Sequence, residues 1–135
     1  MAVGEILLDT NAYAEYKRGN QRVLELLTEA SSIVLSPIVM GELYAGFALG
    51  NREKENISEL DRFLAVAKTK AVTIDEQTSL IFAKVFCDLR RQGTPIPTND
   101  MWIAASAFQR GLKVLSFNKH FQQAKGLELL NPNLA

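Results

Sequence analysis

The sequence has little cysteine, little histidine and no net charge, and each shortage argues against a class of protein. Its single cysteine, Cys87, cannot form an internal disulfide. Its fifteen basic and fifteen acidic residues cancel, which argues against a polybasic protein that binds nucleic acid or membranes through its overall charge. Its single histidine, His120, gives weak support to a zinc enzyme. Any anionic partner must therefore be held by a local group of side chains or by a bound cation.

The sequence also lacks an uninterrupted apolar segment long enough to span a membrane. The longest stretch with only one charge, residues 33–50, is interrupted by Pro37, Gly41 and Gly46. The N-terminal residues show neither the basic segment nor the long apolar stretch of a signal peptide. We therefore expect a cytoplasmic protein with no membrane association. The 135 residues, 47% of them apolar, have the size of one globular domain, so we expect residues 1–135 to form a single domain.

Short apolar runs alternate with helical patterns along the chain. The strand candidates end at Leu8, Ser36, Ile74, Ser116 and Leu130. Amphipathic helices are predicted over residues 21–30, 52–68, 76–93 and 98–111. Such alternation predicts an α/β fold, with a central parallel sheet of about five strands and helices on both faces.

Three acidic residues stand alone in apolar surroundings. Asp9 directly follows the first strand candidate, Glu42 is the only charged residue in positions 33–50, and Asp100 is the only one in positions 93–109. Burying an ionised carboxylate without a partner costs several kcal/mol. Each of these acids must therefore be paired, protonated, placed at a helix cap or bound to a cation.

Helix capping is the structural alternative for two of the three acids. Asp9 could cap a helix that begins near Asn11, and Asp100 could lie in the first turn of a helix that follows Thr98. Glu42 is harder to explain in this way, because it lies more than one turn into its helix if Ser36 is the cap. A function is therefore better supported for Glu42 than for either aspartate taken alone.

The carboxyl ends of parallel strands meet at one edge of a sheet, where ligands bind. Asp9 follows the first strand, Glu42 lies in the helix after the second, and Asn118 follows a later one; the general rule does not place Asp100. Carboxylates and an amide, with no cysteine or histidine among them, match the oxygen ligands that Mg²⁺ and Mn²⁺ prefer. Such a cation can activate water and neutralise a phosphodiester. The residues therefore predict metal-dependent phosphate chemistry.

Four segments together resemble the PIN-domain nucleases, in particular the VapC-like toxins of bacterial toxin–antitoxin pairs. They are "LLDTN", "SPIVMGELYAG", "IPTNDMWIAASA" and "LSFNKHF", the last followed by "GLELLNP". The resemblance implies a ribonuclease that uses Mg²⁺ or Mn²⁺, forms a homodimer, and is inhibited by an antitoxin whose C-terminal segment covers the site. It also implies roles for individual residues: Asp9, Glu42 and Asp100 as catalytic metal ligands, Thr10 and Asn11 as supports of the first, and Asn99 beside the third.

Asn118 departs from the family pattern. Many PIN domains carry an acid in the fourth motif, where this chain has Asn118. The amide still offers an oxygen to a metal or to a metal-bound water, so we count Asn118 among the catalytic residues. Because it adds no charge, a second metal position is less well supported than the first.

Other residues admit two interpretations. Lys17 and Arg18 could contact RNA, although scattered surface charges usually serve solubility. Trp102 could stack on a base or belong to core or dimer packing. The apolar helix through Tyr44 and Leu49 could supply a dimer face or be a buried core helix.

Three other functions are compatible with part of the pattern. A phosphoryl-accepting domain also places an aspartate after its first strand, but Asn11 stands where the phosphatase type needs a second acid, and Lys119 is poorly placed for a receiver domain. A non-catalytic PIN-like module that binds RNA or protein would not need all three acids. A PIN nuclease of RNA maturation would share every site residue with a toxin.

Overall fold

The computed structural model describes residues 3–133, which build a five-stranded sheet and six α-helices. The strands are β1 (Gly4–Leu8), β2 (Ala30–Leu35), β3 (Thr69–Ala71), β4 (Lys113–Leu115) and β5 (Leu129–Leu130). Every neighbouring pair is parallel, in the order β3-β2-β1-β4-β5. The predicted α/β fold with about five parallel strands is confirmed.

β1 lies at the centre of the sheet, and both of its faces are covered. Ile6, Leu7 and Leu8 are 0% exposed, and successive side chains in a strand point to opposite faces. A strand that is buried on both sides needs a continuous apolar run, which is what the sequence shows there. The first strand of the chain is therefore the middle of its core.

The helices are α1 (Thr10–Lys17), α2 (Gln21–Glu29), α3 (Pro37–Leu49), α4 (Glu53–Leu64), α5 (Glu76–Gln92) and α6 (Thr98–Arg110), followed by a 3₁₀ helix (Lys119–Gln123). α5 begins at a capping box made by Asp75 and Thr78. α5 and α6 end at Gly93 and Gly111, which have the left-handed backbone conformation that glycine tolerates best. Both helix ends agree with the sequence prediction.

The third strand differs from its predicted position. The apolar run that ends at Ile74 predicts a strand at residues 71–74, whereas β3 covers Thr69–Ala71. β3 is an edge strand in register with β2, pairing Thr69 with Ile33. An edge strand needs fewer apolar side chains than a central one, so the apolar pattern of the sequence does not reveal β3. The chain after β3 leads to the cap of α5.

The C-terminal half of α3 is apolar yet exposed. Leu49 is 91% exposed and Tyr44 is 36% exposed, so the alternative of a buried core helix is wrong for this half. Within residues 3–133, none of the helices combines the length and the apolar character needed to cross a membrane. The exposed half of α3 is therefore a surface available to a partner.

The strand order creates one point where the direction of chain progression reverses. From β1 the chain builds β2 and β3 on one side, whereas β4 and β5 lie on the other. In open parallel sheets, ligands bind outside the carboxyl ends of the two strands that flank such a switch point. The residues after Leu8 and after Leu115 are therefore the first place to look for a site.

Candidate active site

Asp9 lies at this switch point, immediately after β1, and is 4% exposed. It occupies the cap position of α1, but its side chain makes no capping hydrogen bond. Instead its Oδ2 atom accepts a hydrogen bond of 2.6 Å from the hydroxyl of Ser116, at the end of β4. The capping alternative for Asp9 is therefore wrong, and its carboxylate is turned towards β4.

Burial raises the pKa of Asp9 to about 6. Hydrogen bonds from the Ser116 hydroxyl and from the Thr10 backbone oppose this shift, while the charges of Asp100 and Glu42 add to it. Nearby negative charges favour the protonated form of a carboxyl group. The three acids that stand alone in the sequence are therefore electrostatically coupled in the fold.

Asp100 lies in the first turn of α6 and is 5% exposed. Its Oδ2 atom accepts a 3.0 Å hydrogen bond from Nδ2 of Asn118 and lies 3.1 Å from Nδ1 of His120. Burial raises the pKa of Asp100, the neighbouring His120 lowers it, and the charge of Glu42 raises it. This carboxylate therefore points away from solvent and towards the segment after β4.

Glu42 lies more than one turn into α3, as expected, because Ser36 caps that helix through a 3.2 Å hydrogen bond from the Val39 backbone. One oxygen of Glu42 accepts from the Thr10 hydroxyl, and the other accepts from the side-chain amide of Asn99. We expected Thr10 to support Asp9. It does so only through its backbone N–H, which donates a hydrogen bond to the Asp9 carboxylate. Its side chain orients Glu42 instead.

Two asparagines lie beside the acids, Asn11 after β1 and Asn118 after β4. The Oδ1 atom of Asn11 accepts a 3.0 Å hydrogen bond from the backbone of Phe117. The Oδ1 atom of Asn118 accepts one of 2.9 Å from the backbone of His120, so Asn118 caps the 3₁₀ helix. The oxygen that we expected to face a cation is thus bonded to the backbone, and the amide nitrogen faces Asp100. Asn118 positions an acid in this structure.

Ser116 and His120 belong to the site, although the sequence does not mark either of them as a site residue. In the sequence, Ser116 stands out only as the end of a strand candidate. In the sequence, His120 is considered only as a possible zinc ligand. In the fold its side chain is 52% exposed, and its ring faces Asp100. The sequence feature that could have identified Ser116 and His120 is their position, because both follow β4 at the edge of the sheet where Asp9 follows β1.

The residues predicted to contact RNA have other partners. Lys17 forms a 2.7 Å ion pair with Glu59, and Arg18 pairs with Glu15. Both side chains lie at the end of α1 that is remote from Asp9. RNA binding by Lys17 and Arg18 stays a prediction. Trp102 stacks on Phe82 with ring centroids 4.1 Å apart, which agrees with the packing interpretation of this residue.

The donor set fits a hard divalent cation. Within residues 3–133, no three carboxylate, imidazole or thiolate groups are gathered closely enough to form a complete ligand set. Mg²⁺ does not require one, since it usually keeps several waters and is bound through one or two carboxylates plus substrate phosphates. Asp9 and Asp100, both buried and both with a raised pKa, suit that role, because a cation would offset the cost of their charges.

Comparisons with known proteins identify the family of this chain. The PIN domain family model matches residues 6–127. Plasmid stability protein StbB of Pseudomonas syringae pv. tomato is 30% identical over 135 residues, covering 94% of this chain and 97% of that protein. Ribonuclease VapC1 of Rickettsia felis is 30% identical over 128 residues, covering 93% and 94%. The solved structure of VapBC2 from Rickettsia felis, bound to a promoter DNA fragment, superposes with a TM-score of 0.81 at 25% identity, covering 94% of this chain and 98% of that chain. This chain belongs to the PIN domain family.

Proposed function

We propose that this chain is a cytoplasmic endoribonuclease that hydrolyses RNA phosphodiester bonds with Mg²⁺ or Mn²⁺. The observation that carries the proposal is the pair of hydrogen bonds that Glu42 accepts, one from Thr10, which directly follows Asp9, and one from Asn99, which directly precedes Asp100. The relative in Rickettsia felis is named a ribonuclease, which supports RNA as the substrate class. Such a link between three solitary acids, from separate parts of the chain, supports a shared function.

When bound, the cation would neutralise the phosphodiester and activate a water molecule. Asp9 and Asp100 would hold it, with Glu42 beside them. Hydrogen bonds from neighbouring residues fix all three acids: Ser116 for the first, Asn118 and His120 for the second, and Thr10 and Asn99 for the third. Charges that are fixed before the substrate arrives need little reorganisation during the reaction.

Purified protein is expected to cut single-stranded or loop RNA only when Mg²⁺ or Mn²⁺ is present. Because water attacks the phosphorus, the products should carry a 5′-phosphate and a 3′-hydroxyl. The measurement is a cleavage assay on a labelled RNA, with end-group analysis of the fragments in metal and in excess EDTA. Full activity in EDTA, or 2′,3′-cyclic phosphate ends, would contradict the mechanism.

We further propose that the chain is the toxin of a toxin–antitoxin pair and forms a homodimer. A groove of about 270 Å³ lies between α1, α3 and α4. Its lining includes the apolar or aromatic side chains of Tyr13, Leu43 and Phe47 and the ion pair between Lys17 and Glu59. Leu43 and Phe47 lie on the same helix as the exposed Tyr44 and Leu49, and Glu42 directly precedes Leu43. An antitoxin segment lying along α3 could therefore place a basic side chain among the acids.

Expression of the chain alone is expected to arrest growth, and co-expression of a small protein encoded beside it should restore growth. Leu49→Ser should weaken binding of that antitoxin by about 10–100-fold, because burying a leucine side chain contributes roughly 1.5–3 kcal/mol. The measurement is the dissociation constant of the purified pair, together with growth on co-expression.

Leu80→Ser is the matched control, since Leu80 is also exposed, at 67%, but lies on α5. Light scattering of both variants would test the homodimer at the same time. Equal antitoxin binding by Leu49→Ser and the control would contradict docking on α3, and dissociation of a dimer in Leu49→Ser alone would assign α3 to the dimer instead. Harmless expression of an active enzyme would favour RNA maturation.

A further inference from the structure

One buried hydroxyl connects the ends of the two central strands. Ser116 follows β4 and is 0% exposed. Its Oγ atom donates to Oδ2 of Asp9 at 2.6 Å and accepts from the backbone of Asn118 at 2.9 Å. Ser116 therefore contacts Asp9, a proposed metal ligand, and also Asn118, whose side chain donates to the second proposed ligand, Asp100.

The single proton of this hydroxyl has one good acceptor. A serine hydroxyl donates one hydrogen bond and can accept two. Oδ1 of Asn11 is 3.4 Å from the Ser116 Oγ atom, whereas Oδ2 of Asp9 is at 2.6 Å. Asn11 is also satisfied by the backbone of Phe117. The proton is therefore committed to Asp9, and hydrogen bonds to ionised acceptors are the stronger kind.

The backbone of Asp9 is fixed on the same strand. Its N–H donates to the carbonyl of Leu115 at 3.0 Å, one residue before Ser116. Both the main chain and the carboxylate of Asp9 are thus held by consecutive residues at the end of β4. With one carboxylate oxygen tied to Ser116, the orientation of the other is determined as well.

We propose that Ser116 is a positioning residue of the metal site, which holds the Asp9 carboxylate in the orientation that binds the cation. This role depends on the proposed metal-dependent activity. Hydrogen-bond partners of metal ligands commonly set ligand orientation, and their loss costs about 10–100-fold in metal affinity or activity. Ser116 acts through Asp9 and does not need to touch the RNA.

Ser116→Ala tests this role because it removes the hydroxyl and little volume. Mn²⁺ binding to the full chain without RNA, measured by isothermal titration calorimetry, should weaken by about 10–100-fold. Ser106→Ala is the matched control: Ser106 is also 0% exposed and makes one hydrogen bond of 3.0 Å, to the carbonyl of Trp102 within α6. It should leave Mn²⁺ affinity unchanged, whatever its effect on melting temperature.

RNA cleavage provides the second measurement. The Mn²⁺ concentration that gives half-maximal cleavage should rise for Ser116→Ala in parallel with the dissociation constant, and saturating Mn²⁺ should restore most of the rate. A purely structural role would lower the melting temperature in EDTA without moving this midpoint. Should Ser116→Ala not fold, Ser116→Cys allows the same comparison, because a thiol is similar in size and a much weaker donor.

The possible failures are distinguishable. Equal Mn²⁺ affinity in Ser116→Ala and wild type, with metal-dependent cleavage in both, would overturn the positioning role and leave the proposed function intact. Equal weakening in Ser106→Ala would overturn it too, because the effect would then follow from any lost buried hydrogen bond. A wild-type chain that binds no Mn²⁺ and cuts RNA in EDTA would overturn both proposals.

Discussion

Asp100→Asn is expected to lower RNA cleavage by about a thousandfold or more while leaving the fold intact. A catalytic cation stabilises transition-state charge by several kcal/mol, and a loss of about 4 kcal/mol corresponds to a factor of about 10³ in rate. The amide keeps the shape of the side chain and one acceptor oxygen for Asn118. The variant thus removes the negative charge that would hold the cation and little else.

The measurement is the single-turnover cleavage rate at saturating Mg²⁺ for Asp100→Asn and for Asp61→Asn. Asp61 makes a good control because it is an exposed aspartate on α4. The control should retain the wild-type rate. Cleavage by Asp100→Asn within tenfold of wild type would show that Asp100 is a first-turn helix residue without a catalytic role.

Asp9→Asn is expected to stabilise the metal-free protein at neutral pH. The folded-state pKa of Asp9 is about 6, raised above its ordinary value of 3.8. Between these values the folded state holds more of this proton than the unfolded state, so the contribution of Asp9 to the free energy of unfolding falls as pH rises from about 4 to about 6 and is level above about pH 6. This difference amounts to about 3 kcal/mol. Asparagine does not titrate and escapes the penalty.

Thermal unfolding in EDTA would measure this effect. The melting temperature of Asp9→Asn should exceed that of wild type at pH 7 by about 10 °C, and the gap should narrow near pH 5. Mg²⁺ should raise the melting temperature of wild type more than that of the variant. Tighter binding to the folded state stabilises the protein more, and the variant lacks one proposed ligand. A variant that melts below wild type in EDTA at both pH values would show that the ionised carboxylate stabilises the fold through Ser116.

The acids of the site could be predicted from local sequence because their isolation is a local property. A charge amid apolar residues has an energetic cost wherever the chain folds, so the sequence alone shows that Asp9, Glu42 and Asp100 each need a partner. The identity of those partners could not be predicted in the same way. Ser116 lies 107 residues from Asp9, and Asn99 lies 57 residues from Glu42. Nothing local marks one polar residue out for such a contact.

The same division holds for the fold. The apolar run before Asp9 determined a buried central strand, and the glycines after α5 and α6 determined where those helices end, because dihedral preference and burial act through neighbouring residues. The position of β3 depended on its pairing with β2. That pairing places the strand at Thr69–Ala71, before most of the apolar run that ends at Ile74. The exposure of the second half of α3 likewise depended on which elements pack against it.

By itself, the sequence determined that this protein has a layered α/β core, three acids that need a cation or another partner, and the motifs of a PIN domain. Only the tertiary structure decided that Asp9 binds Ser116 and does not cap α1, that Asn118 presents its nitrogen to Asp100, and that Thr10 orients Glu42. The physical reason is range. Burial cost and backbone preference are set within a few residues, whereas a hydrogen bond across the sheet exists only after strand order has brought distant ends together.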